Sequence, residues 1–304
     1  MFQRSNKESH AREHFLKRAA SESEPGVQLD LTKLADDLGL SVQSLEDLLS
    51  EMEQSGLVSN QHDGWILTEK GWDQGRNLLR AHRIYESYLA EQTGLDPQKW
   101  HKEADRLEHE LDSETVNRIS LELNRPRFDP HGDAIPTRGL DMPAAEGVLL
   151  PQVSENGYYR IVHIEDEPPE PFAKVIAAGL APELIVHVEV LNGGRFRLQW
   201  AGLEHYLDSA QAAALMVNKC QAEELEFLPK DNLYNLKDGA SATIHSISPA
   251  VRGLERRRLL DLGFVPGSTV IRESSGAFNG PVRFIVRGTV QALRREQASN
   301  IYVE

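Results

Sequence analysis

The C-terminal half of the chain carries one pattern twice. Sliding the sequence against itself by about 84 positions lays FAKVIAAGLAPELIVHVEV over RRRLLDLGFVPGSTVIRES. It also lays RFRLQWAGLEHYLDSAQAAALMV over VRFIVRGTVQALRREQASNIYV. Gly179 falls on Gly263, Pro182 on Pro266, Gly202 on Gly288 and Ala212 on Ala298. Each copy has one short helix ending at a glycine, followed by runs in which Val, Ile and Phe alternate with polar residues. That period of two belongs to half-buried strands, so two small β-barrels are expected, at 141–225 and 226–304.

The other end reads as helices. In LTKLADDLGLSVQSLEDLLSEMEQSGLV, Leu31, Leu34 and Leu38, then Leu45, Leu48, Leu49 and Met52, recur at helical spacing. Gly39-Leu40-Ser41 between them supplies a turn and an N-cap, the pattern of a helix-turn-helix. LVSNQHDGWILTEKG then offers two short strands around His62-Asp63-Gly64, and a winged helix-turn-helix domain over 1–75 follows.

Residues 76–140 form a helical block. Thr93-Gly94-Leu95-Asp96-Pro97 breaks it, with Pro97 suited to the first turn of the next helix. On a helix turning about 100° per residue, His101, Asp105, Glu108 and His109 fall on one stripe. His82 and Glu86, four apart, can present an imidazole and a carboxylate from the preceding helix. Such pairs build metal sites inside helical bundles, although the same spacing also serves solvated ion pairs. A donor set of nitrogen and oxygen suits Mn²⁺ or Fe²⁺, and disfavours copper(I) and structural zinc. The chain's one cysteine, Cys220, rules out a disulfide framework or a Cys-rich zinc site.

AHRIYESYLAEQTGLDPQKWHKEADRLEHELDSETVNRI, followed by FDPHGDAIP, resembles the metal-dependent repressors of the diphtheria toxin repressor (DtxR) and manganese transport regulator (MntR) family. Each C-terminal copy looks like a FeoA-type SH3-like domain, most clearly at LLDLGFVPGS. The resemblance implies a multidomain α+β protein: a winged helix-turn-helix, a helical metal-binding and dimerisation domain, and two SH3-like barrels. It assigns one metal site to Asp105, Glu108 and His109, and a neighbouring one to His82, Glu86 and His101. Glu165, in HIEDEPPEP, is the matching position for a further ligand from the SH3-like domain, with Glu167 a possible second. In the first helix His14 falls where the family has a Met or Asp ligand. Lys17 falls where manganese-type members carry a second acid, and a lysine cannot ligate at neutral pH.

The resemblance also implies a homodimer on operator DNA, and the amphipathic ETVNRISLELNR suits a pairing helix. Charge argues against easy DNA binding. The net charge is −14, and the candidate recognition helix has Glu46, Asp47, Glu51 and Glu53 with no Lys or Arg. Gln43 and Ser44 remain to touch bases, with Arg12, Lys17, Arg18, Lys70, Arg76 and Arg80 to reach the backbone. A metal-dependent transcriptional regulator is therefore expected. The alternative is a metal-sensing accessory module of a manganese or ferrous iron transporter that does not bind DNA. An enzyme is not expected, because LEHEL has one histidine and no H-E-x-x-H or phosphate-cradling loop occurs. No run approaches the roughly 18 apolar residues of a membrane span. With no apolar signal in MFQRSNKESH, a cytoplasmic protein without membrane insertion is expected.

Overall fold

The computed structural model describes residues 2–62, 64–144, 146–274 and 280–304. The chain divides into two compact units. One is Met1–Tyr88, His101–Asp129 and Ala134–Ala144; the other is Leu89–Trp100, Pro130–Asp133 and Ala145–Glu304. Among the described residues, no helix is long and apolar enough to cross a membrane.

The first unit begins with α1 (Phe2–Glu22), α2 (Leu31–Asp37) and α3 (Val42–Gln54). Asp30 caps α2 by accepting from the amides of Thr32 and Lys33, and Ser41 caps α3 by accepting from that of Ser44. These side chains satisfy amides that have no partner within the helix. The helical spacing of the leucines then buries Leu34, Leu45, Leu49 and Met52 with Phe15 and Leu16 of α1. A fully buried side chain of this kind contributes about 1.5–3 kcal/mol. The hairpin of β1 (Val58–Gln61) and β2 (Gly64–Leu67) pairs Val58 with Leu67 and Gln61 with Gly64, completing the winged helix. Asp63, expected in its turn, lies outside the described residues.

Thr68 starts α4 (Glu69–Gln92) by accepting from the amide of Gly71. On α4, Gly75 lies close against α1: a Cβ there would stand 2.3 Å from the Leu16 carbonyl oxygen and 2.6 Å from Ala20 Cβ. His82 lies two helical turns further along the same face, so this contact aims residue 17 of α1 towards it. Pro97 opens a 3-10 turn (Pro97–Lys99) that leads into α5 (Trp100–Leu107), and α6 (Ser113–Glu122) follows. Ala81, Ile84, Val116, Ile119 and Ile135 form the core beneath α4 and α6.

The expectation of one helix from His101 through His109 is corrected. Regular α geometry ends at Leu107, and Glu108–Glu110 is a 3-10 turn. Tightening from about 100° to 120° per residue rotates His109 away from the stripe of His101, Asp105 and Glu108.

The second unit contains two six-stranded antiparallel sheets. The first is built from β3 (Val148–Leu149), β4 (Gly157–Ile164), α7 (Pro169–Ala177), β5 (Ile185–Leu191), β6 (Arg195–Trp200), β7 (Leu203–Leu207), α8 (Ser209–Ala213) and β8 (Leu215–Lys219). After α9 (Ala222–Leu225), the second uses β9 (Asp231–Asn232), β10 (Ser241–Ile247), α10 (Gly253–Asp261), β11 (Thr269–Ser274), β12 (Val282–Val286), β13 (Thr289–Leu293), α11 (Arg295–Ser299) and β14 (Ile301–Val303). The strand orders are β3-β8-β4-β5-β6-β7 and β9-β14-β10-β11-β12-β13, the same topology twice. Matched glycines do matched work. Gly179 and Gly263, at φ of 81° and 98°, end α7 and α10, while Ala201-Gly202 and Arg287-Gly288 make equivalent hairpin turns with both residues at positive φ.

Candidate metal centre

The first unit brings six ionisable side chains from α4, α5 and the 3-10 turn to α1. On α4, His82 and Glu86 face the same way, with His82 Nε2 3.1 Å from Glu86 Oε1. From α5, His101 Nδ1 reaches the same oxygen at 3.3 Å. Glu86 Oε1 therefore lies against two imidazole nitrogens. The other ring nitrogens point to a second pair of acids. His82 Nδ1 lies 2.5 Å from Glu108 Oε2 and 3.3 Å from Asp105 Oδ1, and His101 Nε2 lies 3.4 Å from Asp105 Oδ2.

Helix α1 contributes a cation to this second pair. Lys17 Nζ donates to Asp105 Oδ1 at 2.6 Å and to the two Glu108 oxygens at 2.9 and 3.1 Å, and lies 3.2 Å from His82 Nδ1. One turn before it, His14 stacks on His109 with ring centroids 6.3 Å apart. His109 Nδ1 meets Glu13 Oε2 at 2.6 Å. Glu13 and the bridging position of Lys17 are absent from the sequence reading. The signal available was that Glu13, His14 and Lys17 share one face of α1.

Burial opposes charge at His82, Lys17, Asp105 and Glu108, and there the neighbours outweigh it. Burial lowers the His82 pKa, but the Glu86 carboxylate and hydrogen bonds to Glu108 and Glu86 outweigh it and the repulsion from Lys17, pushing it up to about 10. Burial would likewise discharge Lys17, yet Glu108 and Asp105 hold its pKa above the ordinary value. For Asp105, the charges of Lys17, His82 and His101 overcome burial and bring the pKa below the carboxylate range. Glu108 follows, through its hydrogen bond with His82 and the charge of Lys17. His14 goes down, because burial and Lys17 both favour its neutral form.

The donor chemistry fits a divalent ion. His82, Glu86 and His101 offer ligand atoms within 4.8 Å of one another; so do His82, Asp105 and Glu108, and so do His14, Glu108 and His109. All are imidazole nitrogens or carboxylate oxygens, the set that suits Mn²⁺ and Fe²⁺. Glu165 belongs to the second unit, where its Oε2 lies 3.9 Å from His163 Nε2.

Helix α3, the candidate recognition helix, is acidic in space as well as in sequence. Gln43, Ser44, Glu46, Asp47 and Glu51 are all exposed on α3, and Gln43 Nε2 donates to Asp47 at 3.3 Å. Most of the cations expected to reach the DNA backbone also have partners within the chain. Lys17 is in the carboxylate cluster, and Arg18 lies 3.3 and 3.0 Å from Glu22 and Asp37. Arg76 is buried over the Trp72 ring and bonded to Glu24, and Arg80 donates to the Pro136 carbonyl and Asn117.

Residues 68–137 match the family described as iron dependent repressor, metal binding and dimerisation domain, and residues 232–304 match the FeoA domain. The iron-dependent repressor IdeR of Mycobacterium tuberculosis is 27% identical over 229 residues, which cover 68% of this chain and 96% of that one. Over these segments the chain is similar to the iron-dependent repressors and to FeoA-domain proteins. A manganese-dependent transcriptional repressor, solved with manganese, shares the fold with a TM-score of 0.60 at 24% identity, over 68% of this chain and 99% of that one. A different kind of relative is a probable metal transport system membrane protein of Chlamydia trachomatis. It is 40% identical over 85 residues, and the match covers 28% of this chain and 19% of that one.

Proposed function

We propose that the protein is a metal-dependent transcriptional regulator of metal-ion homeostasis, responding to Mn²⁺ or Fe²⁺ in the cytoplasm. One observation carries this reading. A partly buried imidazole and carboxylate cluster on α4, α5 and the 3-10 turn is closed by α1, whose Phe15 and Leu16 are part of the winged-helix core. A change at the cluster is therefore felt by the element that would meet DNA.

In this reading His82, Glu86 and His101 form one ligand set, with Glu165 as the further acid that the resemblance assigns. Asp105, Glu108 and His109, with His14, form the other. A bound ion supplies positive charge that ties these groups together. By linkage it favours whichever arrangement of the helices it binds best. The proposed parts are a winged helix over 1–75, a metal and dimerisation domain over 76–140, and SH3-like domains over 141–225 and 226–304. The homodimer would use α6, where Leu121 is 55% exposed while Val116 and Ile119 are buried. Gln43 and Ser44, in the first turn of α3, would meet base edges in the major groove. Fluorescence titration of operator DNA tests the whole reading. Binding is expected to tighten on adding Mn²⁺ or Fe²⁺, and equal weak binding with and without metal removes it.

The acidic face of α3 supports a second reading, in which the winged helix is a protein-interaction surface of a transporter's accessory module. Pull-down with a metal permease encoded nearby tests it. Sequence-specific DNA binding counts against it.

A further inference from the structure

We propose that Lys17 is a resident cation that takes Asp105 and Glu108 out of metal coordination, so that each chain holds one metal ion, on His82, Glu86 and His101. This narrows the metal reading above from two ligand sets to one, and rests on it.

The ammonium stands where an ion shared by Asp105, Glu108 and His82 would stand. It lies 2.6 Å from Asp105, 2.9 and 3.1 Å from the two Glu108 oxygens, and 3.2 Å from His82 Nδ1. Contacts of this length are charge-assisted hydrogen bonds, whereas a small divalent ion takes its ligands at about 2.0–2.2 Å. Ion and ammonium cannot both be centred there, and two cations a few ångströms apart repel. Lys17 is also well held. Its side chain is 13% exposed, and the adjacent Phe15, Leu16, Ala19 and Ala20 are at most 1% exposed.

The consequences spread through Glu108, which belongs to both the His82–Asp105–Glu108 and the His14–Glu108–His109 groups. Both its oxygens accept from Lys17. Within the His14–Glu108–His109 group the carboxylate is then held by Lys17, and His109 Nδ1 is turned to Glu13. The His82 group is affected in the opposite sense. His82 Nε2 and His101 Nδ1 converge on Glu86, and the other nitrogen of each ring faces Glu108 or Asp105. A ligating imidazole is typically oriented in this way, by a carboxylate accepting from its other nitrogen. With Lys17 balancing their charge, Asp105 and Glu108 orient two ligands instead of serving as ligands.

Calorimetric titration with Mn²⁺, checked by the paramagnetic resonance signal of the free ion, counts sites per chain. The wild type and Lys17→Arg, which keeps the cation, are expected to bind one ion, and Lys17→Gln two. Two ions on the wild type, or one on a folded Lys17→Gln, overturns the inference and leaves the metal reading intact. No saturable Mn²⁺ on any of the three sinks that reading and the inference with it. A measurement on the wild type alone guards against a Lys17→Gln chain that does not fold. Lys17 is expected to stay shielded from an amine-acylating reagent with and without Mn²⁺, and a rise in its labelling on adding Mn²⁺ overturns the proposal.

Discussion

His82 Nδ1 meets Glu108 Oε2 at 2.5 Å, joining the middle of α4 to the 3-10 turn after α5. Both side chains are buried, at 5% and 0% exposure, so the contact acts in a medium that screens charge weakly. Whether it is an ion pair depends on a proton that His82 holds far above the ordinary imidazole range.

This fixes how the metal-free protein should respond to pH. The His82 pKa is about 10 when folded against an ordinary 6.5, so its contribution is complete below pH 6.5 and drains away as pH rises towards 10. Asp105 and Glu108 shift down from 3.8 and 4.5, so theirs is complete above those values and is lost as pH falls through the depressed ones. These three groups together contribute most between about pH 5 and 6.5, and the lowered His14 pKa, whose contribution is complete above 6.5, favours the upper end of that window. Thermal melts in chelator across pH 3 to 10 check this, and a maximum above pH 8 contradicts it.

Removing one member of the buried set should cost more than removing a surface charge. Glu108→Ala leaves Lys17 facing Asp105 alone among its carboxylate partners, beside a charged His82. Breaking a buried pair on one side typically costs about 3–5 kcal/mol. Glu108→Gln, which still accepts hydrogen bonds, should cost less. Urea denaturation without metal measures both, and equal losses would show that the charge at Glu108 is immaterial.

The approach of α1 to α4 depends on the absence of a side chain at Gly75. Alanine is favoured over glycine inside a helix by about 1 kcal/mol, so propensity alone predicts that Gly75→Ala stabilises. Its Cβ, however, would stand 2.3 Å from the Leu16 carbonyl oxygen, a backbone atom that cannot rotate away. Overpacking of this kind typically costs about 1–3 kcal/mol, enough to reverse the sign. A lower melting temperature together with weaker Mn²⁺ binding is expected, because Lys17 sits one residue from the displaced carbonyl. A higher melting temperature would mean that the helices part without loss.

What the sequence made legible was whatever a local rule dictates. Gly202 and Gly288 match because the second residue of each hairpin turn has positive φ, and Leu34, Leu45 and Leu49 because one helical face meets one core. His82 and Glu86 were visible as a pair one turn apart. The position of Lys17 was not, since it meets residues 65, 88 and 91 places away through a helix crossing that only Gly75 hints at. Nor was the 3-10 turn at Glu108, where no side chain caps the start and contacts with His82 and Lys17 hold the residue. The flanking arginines read as available cations because their partners, such as Asp37 for Arg18 and the Pro136 carbonyl for Arg80, are distant in sequence.

The acidic α3 gives the sharpest test of what the winged helix meets. Glu46 is exposed next to the helix turn that carries Gln43 and Ser44. If that turn enters the major groove, the Glu46 carboxylate works against nearby phosphates, and Glu46→Lys should turn repulsion into a contact. Each added phosphate contact steepens the dependence of log affinity on log salt by about 0.9. Metal-loaded Glu46→Lys should therefore bind operator DNA more tightly at 50 mM salt than the wild type, and lose more of that affinity at 200 mM. Asp47→Asn should act differently. It removes a charge and weakens the hydrogen bond that Gln43 donates to residue 47, which changes base preference more than salt dependence. If neither variant changes DNA binding at either salt concentration, α3 does not face DNA, and the acidic surface is left to a protein partner.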